Sequence, residues 1–200
     1  MILFTKSKKV LSILILTLFG IATVITILYQ INTQAYHLRS EPNYRLSEKK
    51  VMAIIKKYNF YDRYKNPKGQ AIQHDYQQQG SVIYDAKTKL YWQQSGSNKR
   101  LKYSELEKYI NTLNSEHFSG FSGWRLPSLE EAMSLLQAKK NHLNLHIDPV
   151  FDSKQWWIWT KDQMNAVQVW VVYYFDGTSF SYVNITGSTF VRAVRSKKSP

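Results

Sequence analysis

The apolar periodicity of this 200-residue chain changes character at Pro149, and that switch most constrains its fold. Before it, apolar side chains recur every three to four positions, the spacing that puts them on one face of a helix. Val51, Ile54, Ile55 and Tyr58 make one such stripe, Leu106, Tyr109, Ile110 and Leu113 a second, and Leu129, Ala132, Met133 and Leu136 a third. Each stripe has a start signal. Ser47 is placed to cap the first. Ser104 with Glu107, and Ser128 with Glu131 just after Pro127, form capping boxes in which hydroxyl and carboxylate each satisfy a free amide. Lys139 and Lys140 suit the negative end of the third helix. After Pro149, residues 156–160, 167–175, 179–185 and 190–194 are rich in aromatic and branched side chains and read as strands. Asp176-Gly177 between two of them is a hairpin signal. Residues 82–84 and 90–94 add two strands around a turn at Ala86-Lys87-Thr88. Helices first and a strand meander later predict an α+β domain.

The N-terminal region is of another kind. Residues 10–31 carry no charge, and as a helix they would span about 33 Å, enough for a hydrocarbon core of ~30 Å. Lys6, Lys8 and Lys9 precede the run, and Asn32-Thr33-Gln34 follow it, so the positive-inside rule places the N-terminus in the cytoplasm and the rest outside. A cleaved signal peptide is the competing reading, but its apolar region is ordinarily ~7–15 residues long, followed by small residues. The expected organisation is a basic cytoplasmic tail over 1–9 and a single transmembrane anchor over 10–31. A linker over 32–46 follows, then a helix with an irregular segment over 47–79 that docks on the main domain. The main domain covers 80–196, and a basic tail covers 197–200. The chain has no cysteine, which removes disulfides, thiolate metal ligands, thiol nucleophiles and lipoprotein anchoring.

Setting aside Lys6, Lys8 and Lys9 leaves 24 of the 27 basic residues against 14 acidic ones, an excess of about +10 on the exported part. A field of that sign favours polyanions. The basic residues fall into clusters: Arg63, Lys65 and Lys68; Lys99, Arg100 and Lys102; Lys139 and Lys140; Arg195, Lys197 and Lys198. Anionic glycans and envelope polymers are the partners such clusters suit outside a membrane, where nucleic acid is not expected. Solvated surface charge is the plain alternative.

Five blocks occur in a characteristic order: Asp85-Ala86-Lys87-Thr88-Lys89-Leu90-Tyr91-Trp92, then Gly123-Trp124-Arg125-Leu126-Pro127-Ser128-Leu129-Glu130-Glu131-Ala132. Trp156-Trp157-Ile158-Trp159-Thr160, Val171-Val172-Tyr173-Tyr174-Phe175-Asp176-Gly177 and Phe190-Val191-Arg192-Ala193-Val194-Arg195 complete the set. Over residues 80–196 the chain resembles the bacterial Lcl C-terminal domain family, a family without an assigned function. The resemblance implies a C-type-lectin-like fold. It marks Trp92, Trp124, Arg125, Pro127, Asp176, Gly177 and Arg192 as structural signature residues. It also implies possible binding of sulfated glycosaminoglycans, with which the adhesin that gives the family its name is associated.

Several sites compete with plain packing. Trp124-Arg125-Leu126-Pro127 could clamp a ligand, but buried Trp124 and Leu126, with Arg125 bonding carbonyls, Glu130 or Glu131, is the stronger reading. Strand alternation puts Trp157 and Trp159 on one face, with Trp156 and Ile158 on the other. A face left exposed would offer a stacking platform for a sugar. Trp157 and Trp159, with Lys99, Arg100 and Lys102, are the candidate ligand residues. Lys139 and Lys140 are further candidates, and their separate position makes them a second-site control. Asp148, Asp152, Asp162 and Asp176 could hold calcium only if clustered. His142 and His146 lack a third metal ligand, and Asn141, Asn144 and Asp148 favour a loop there. No nucleophile elbow or catalytic constellation is present, so neither enzyme activity nor a cofactor is expected. The reading is a membrane-anchored, non-enzymatic binding domain for an anionic glycan or envelope polymer. An accessory protein-interaction domain is the alternative, and an enzyme of unknown type comes third.

Overall fold

Ser47 opens the first described helix, α1 (Glu48–Tyr58), by accepting a hydrogen bond from the Lys50 amide at 3.4 Å. Asn59, in the left-handed conformation, ends it. The computed structural model describes Thr23, residues 35–183 and residues 187–196. Apart from Thr23, the uncharged run over 10–31 lies outside the described residues, as does the tail 197–200. Among the described residues, no helix is long and apolar enough to cross a membrane. Residues up to Ala35 form one unit and those from Tyr36 onward a second. The architecture that follows is that of the second unit.

Val51 and Ile55 of α1 are buried, so the stripe read from the sequence seats this helix in the main core. The stretch from Tyr58 to Gln79, read as an irregular loop, also belongs to the domain. Phe60, Tyr61 and Ile72 are buried, and Tyr76–Gln79 forms the edge strand β1. Asp62 holds the segment in place. Its buried carboxylate accepts from the amides of Tyr64, Lys65 and Ser179 and from the hydroxyls of Thr178 and Ser179. The predicted linker over 32–46 differs from expectation in the same way. From Tyr36 onward it is a strap laid along the domain. The Tyr36 amide donates to the Lys87 carbonyl, the Trp170 indole donates to the Leu46 carbonyl, and the Arg39 guanidinium grips Asp162 at 2.5–2.9 Å. Aperiodic sequence hides such a strap, because its contacts are single side-chain bonds and not an apolar stripe.

Strands β2 (Val82–Asp85) and β3 (Leu90–Gln93) form the expected hairpin, and with β1 and β9 (Val194–Ser196) they make an antiparallel sheet in the order β1-β2-β3-β9. Strand β4 (Leu101–Lys102) pairs with β8 (Ser188–Thr189). Strands β5 (Trp157–Asn165), β6 (Gln168–Tyr173) and β7 (Thr178–Val183) form the antiparallel meander. The strand predicted over 190–194 is interrupted. Phe190 makes an isolated parallel bridge to Ile158, and Val194 begins β9. Between them the Val191 amide donates to the Ser97 hydroxyl. With its three α-helices and antiparallel sheets, the described fold is α+β.

The other helices refine the capping expectations. A 3-10 turn at Tyr103–Glu105 precedes α2 (Leu106–Ser115). Glu105, not Glu107, reaches back, accepting the Lys102 amide at 2.7 Å, so the turn begins before Ser104. The Ser128 box is formed as read: the Glu131 amide donates to Ser128 Oγ at 3.1 Å and the Ser128 amide to Glu131 Oε2 at 2.8 Å. The helix it opens, α3 (Leu129–Ser134), is short and stops before Lys139. Ser134 Oγ turns back onto the Glu131 carbonyl, and the Gln137 amide is taken by the His146 carbonyl, which draws the chain out of helix.

A buried polar bridge locks α3 to the first sheet. His74 Nδ1 lies 2.7 Å from Asp85 and its Nε2 lies 2.8 Å from the Ser134 carbonyl. Burial alone would raise the Asp85 pKa. Hydrogen bonds from His74, Thr88 and the Asp75 amide outweigh burial and hold it below the ordinary carboxylate value. A carboxylate depressed in the folded state contributes stability that is complete above its unfolded pKa, about 3.9. That stability is lost as pH falls from there through the lower folded value. Urea midpoints should therefore fall below about pH 4, and Asp85→Asn should flatten the loss over that window. An equally steep fall in Asp85→Asn would contradict this assignment.

Candidate functional site

An open groove of about 440 Å³ lies beside the meander, lined by Leu143, Leu145, Ser153, Trp156, Tyr173 and Phe175. Three separate segments build it. Trp156 stands just before β5, and the Tyr174 amide donates to its carbonyl at 2.8 Å. Tyr173 ends β6, paired with Trp157, and Phe175 enters the Asp176-Gly177 turn. Tyr173 therefore sits between two other rings of the groove, 5.4 Å from Trp156 and 5.9 Å from Phe175 by ring centroids.

The opposite wall is the loop after α3. Asn141 organises it: Oδ1 accepts the amides of Leu143 and Leu145, and Nδ2 donates to the Ile147 carbonyl. The His146 amide then donates to the Tyr174 carbonyl, which fixes this wall against the aromatic one. Gly177 permits the approach. Its φ is 74°, and a Cβ there would lie 2.8 Å from the His146 ring and 3.0 Å from Tyr61. Leu143 and Phe175 are each 45 % exposed, so part of the lining is open to solvent.

A cation is stacked on each of two lining rings. Lys140 Nζ lies 4.8 Å from the Phe175 centroid, and the Arg100 guanidinium carbon lies 5.2 Å from the Trp156 ring. Arg100 and Lys140 come from two basic clusters that the sequence kept apart. Lys140 consequently cannot serve as a second-site control, because it touches a ring that lines the same groove. Lys99, Lys102 and Lys139 are exposed and are not among the residues that line this groove. Arg63 and Tyr64 both donate to Asp176, at the turn that carries Phe175.

The tryptophan platform is corrected in one respect. Alternation holds: Ile158 and Trp156 pack with the main core, and Trp159 and Trp157 pack with a second cluster on the other face. Both faces of β5 are covered at Ile158 and Trp159, however. Trp159 is fully buried and donates its indole N–H to the Leu101 carbonyl, so it cannot stack on a sugar. Trp157 is half-buried among Tyr173 and Phe180 and is not part of the groove lining. The ring that reaches the groove is Trp156.

Among the signature residues, Trp92, Trp124 and Arg192 are buried, and Arg125 is paired with Glu131. Trp124 is buried, and its backbone is gripped by the Asn114 amide at 2.8 and 2.9 Å. Arg125 makes a bidentate pair with Glu131 at 2.7 Å, and the Pro127 carbonyl accepts the Lys161 amide. Trp92 is buried at the centre of the core. Arg192 is buried on Phe151, and among the described residues it has no carboxylate in ion-pair contact. It donates to the carbonyls of Gln93, Gln94 and Asp152. Burial lowers its pKa to about 10, against the weaker attraction of Tyr174 and Asp152. By clamping Asp152 it fixes the segment leading into Ser153 and Trp156. The aspartates considered for calcium are dispersed, with Asp162 spent on Arg39 and two backbone amides. Among the described residues, no group of three or more His, Asp and Glu side chains could hold a metal ion.

These features define an α+β domain with an open aromatic groove, two of whose rings each carry a cation. A model of the Lcl C-terminal domain family matches residues 81–195, over half of the sequence, and the chain belongs to that family. No curated protein and no solved structure matches it.

Proposed function

We propose that this protein is a single-pass membrane protein that displays its domain outside the bacterial cytoplasmic membrane. There it binds an anionic glycan or envelope polymer without chemical turnover. We take the helices and meander as a C-type-lectin-like frame for this role. The observation that carries the reading is the groove in which Arg100 and Lys140 lie over the rings of Trp156 and Phe175. The apolar face of a pyranose packs on an aromatic ring. A cation already held over that ring offers charge to a sulfate, phosphate or carboxylate on the same sugar. A volume of about 440 Å³ lies within the range of ordinary small-ligand sites. The anchoring part rests on the uncharged run over 10–31 and its basic flank.

A glycan array probed with the full chain in nanodiscs tests the binding. Retention should be confined to sulfated, phosphorylated or uronate-bearing glycans. It should fall at least tenfold in Phe175→Ala, a substitution of a half-exposed ring that leaves the core intact. Equal retention by Phe175→Ala would remove the groove from the account. Protease added to spheroplasts tests the topology: the domain should be digested while a short fragment stays with the membrane. A domain protected until lysis would reverse the orientation, and a soluble mature form would mean cleavage. The exposed Leu143 and Phe175 also favour a second reading, an accessory domain whose groove takes an apolar segment of a protein partner.

A further inference from the structure

The outer face of α1 carries charge that the groove does not use. Val51 and Ile55 point into the core, and at 100° per residue the directly opposed position is Ala53. Lys49 and Lys56 flank Ala53 on one side, and Lys50 and Lys57 on the other. All four lysines are exposed, as is Arg45 just before the helix; the helix itself carries a single acidic side chain, Glu48, and Glu130 acts on Lys57 from another element. This face is close to the point where the chain enters the domain. The Tyr58 hydroxyl donates to the His37 carbonyl at 3.0 Å, and Lys57 Nζ lies 2.9 Å from the same hydroxyl. His37 follows the first residue of the strap, Tyr36, which is itself bonded to Lys87. Between residue 31, the last of the uncharged run, and Tyr36 there are five residue steps, at most roughly 18 Å of extended chain.

We propose that the lysine face of α1 is a docking surface for the anionic phospholipid headgroups of the membrane in which the protein is anchored. The inference rests on the anchor reading above. A basic face attracts such a surface only within about a Debye length. The short connection from the uncharged run and the seating of α1 beside the entry point allow that approach. Contact there would orient the domain on the membrane instead of leaving it to swing on a tether.

The absence of cysteine makes a test direct. Ala53→Cys in the full chain is labelled with a fluorophore and reconstituted into vesicles of phosphatidylcholine alone or mixed with phosphatidylglycerol. Each vesicle type carries a headgroup-linked nitroxide quencher. Quenching should be strong only with phosphatidylglycerol and should weaken as salt rises. Each lysine near an anionic surface changes partitioning about fivefold. Changing Lys49, Lys50, Lys56 and Lys57 to Gln should therefore abolish most of the quenching. Changing Lys99, Lys102, Lys108 and Lys139 to Gln removes equal charge elsewhere and should leave it intact. Equal quenching in neutral vesicles, or equal loss in both variants, would overturn the proposal. A chain that stays in vesicles through a high-salt wash but is never quenched would overturn this inference while leaving the anchor standing. A chain that washes off would overturn both.

Discussion

Arg192→Met should lower the stability of the domain by about 3 kcal/mol or more, through the unsatisfied acceptors it leaves behind. The guanidinium joins the end of β3, through the carbonyls of Gln93 and Gln94, to the approach to the groove, through the carbonyl of Asp152. Methionine fills similar volume but donates nothing, so these acceptors lose a buried partner. Lysine should recover only part of the loss, because one ammonium cannot reproduce a planar fork. The urea midpoint should shift with the slope unchanged, as expected when stability alone is altered. A loss below about 1 kcal/mol would show that water readily replaces the guanidinium.

The second large effect is expected at Trp124, which is 2 % exposed and packs with Val82, Leu113 and Ala193. Trp124→Ala should cost ~3–5 kcal/mol, the range for removing a large buried aromatic. Its indole N–H donates to the Phe121 carbonyl, and Phe118 meets the ring edge-on at 5.6 Å, so the cavity has little freedom to collapse. An unchanged melting temperature would mean that the ring is accessible in solution and would reopen the ligand-clamp reading.

What was legible in the sequence was local. The Ser128 box, the stripe of α1 and the Asp176-Gly177 turn each depend on residues a few positions apart, and each is formed in the structure. The strap from Tyr36 to Leu46 was not legible, because Arg39 acts through Asp162, which lies 123 positions away. The groove was half legible. Alternation sorted the tryptophans into two faces, but it does not say which face a neighbouring element covers. The lining draws on a loop near Asn141, on Trp156 and on the end of β6, and no periodicity links those three stretches. Arg100 and Lys140 looked like separate patches for the same reason. One signal did point to the groove: Tyr173 and Phe175 directly precede the hairpin turn, where a sheet face runs out of cover.

On the proposed reading, Arg100 and Lys140 act together at one groove on an anionic polymer. The decisive measurement is the affinity of the full chain for a sulfated polysaccharide across a salt series, with the Arg100→Gln/Lys140→Gln pair beside the wild type. Neutralised anions release condensed counterions, so the logarithm of affinity should fall linearly with that of salt. Losing two contacts should flatten the slope by roughly one to two. Lys89→Gln/Lys108→Gln, which removes equal charge away from the groove, should leave the slope unchanged. Equal flattening in both pairs, or wild-type binding indifferent to salt, would contradict the account.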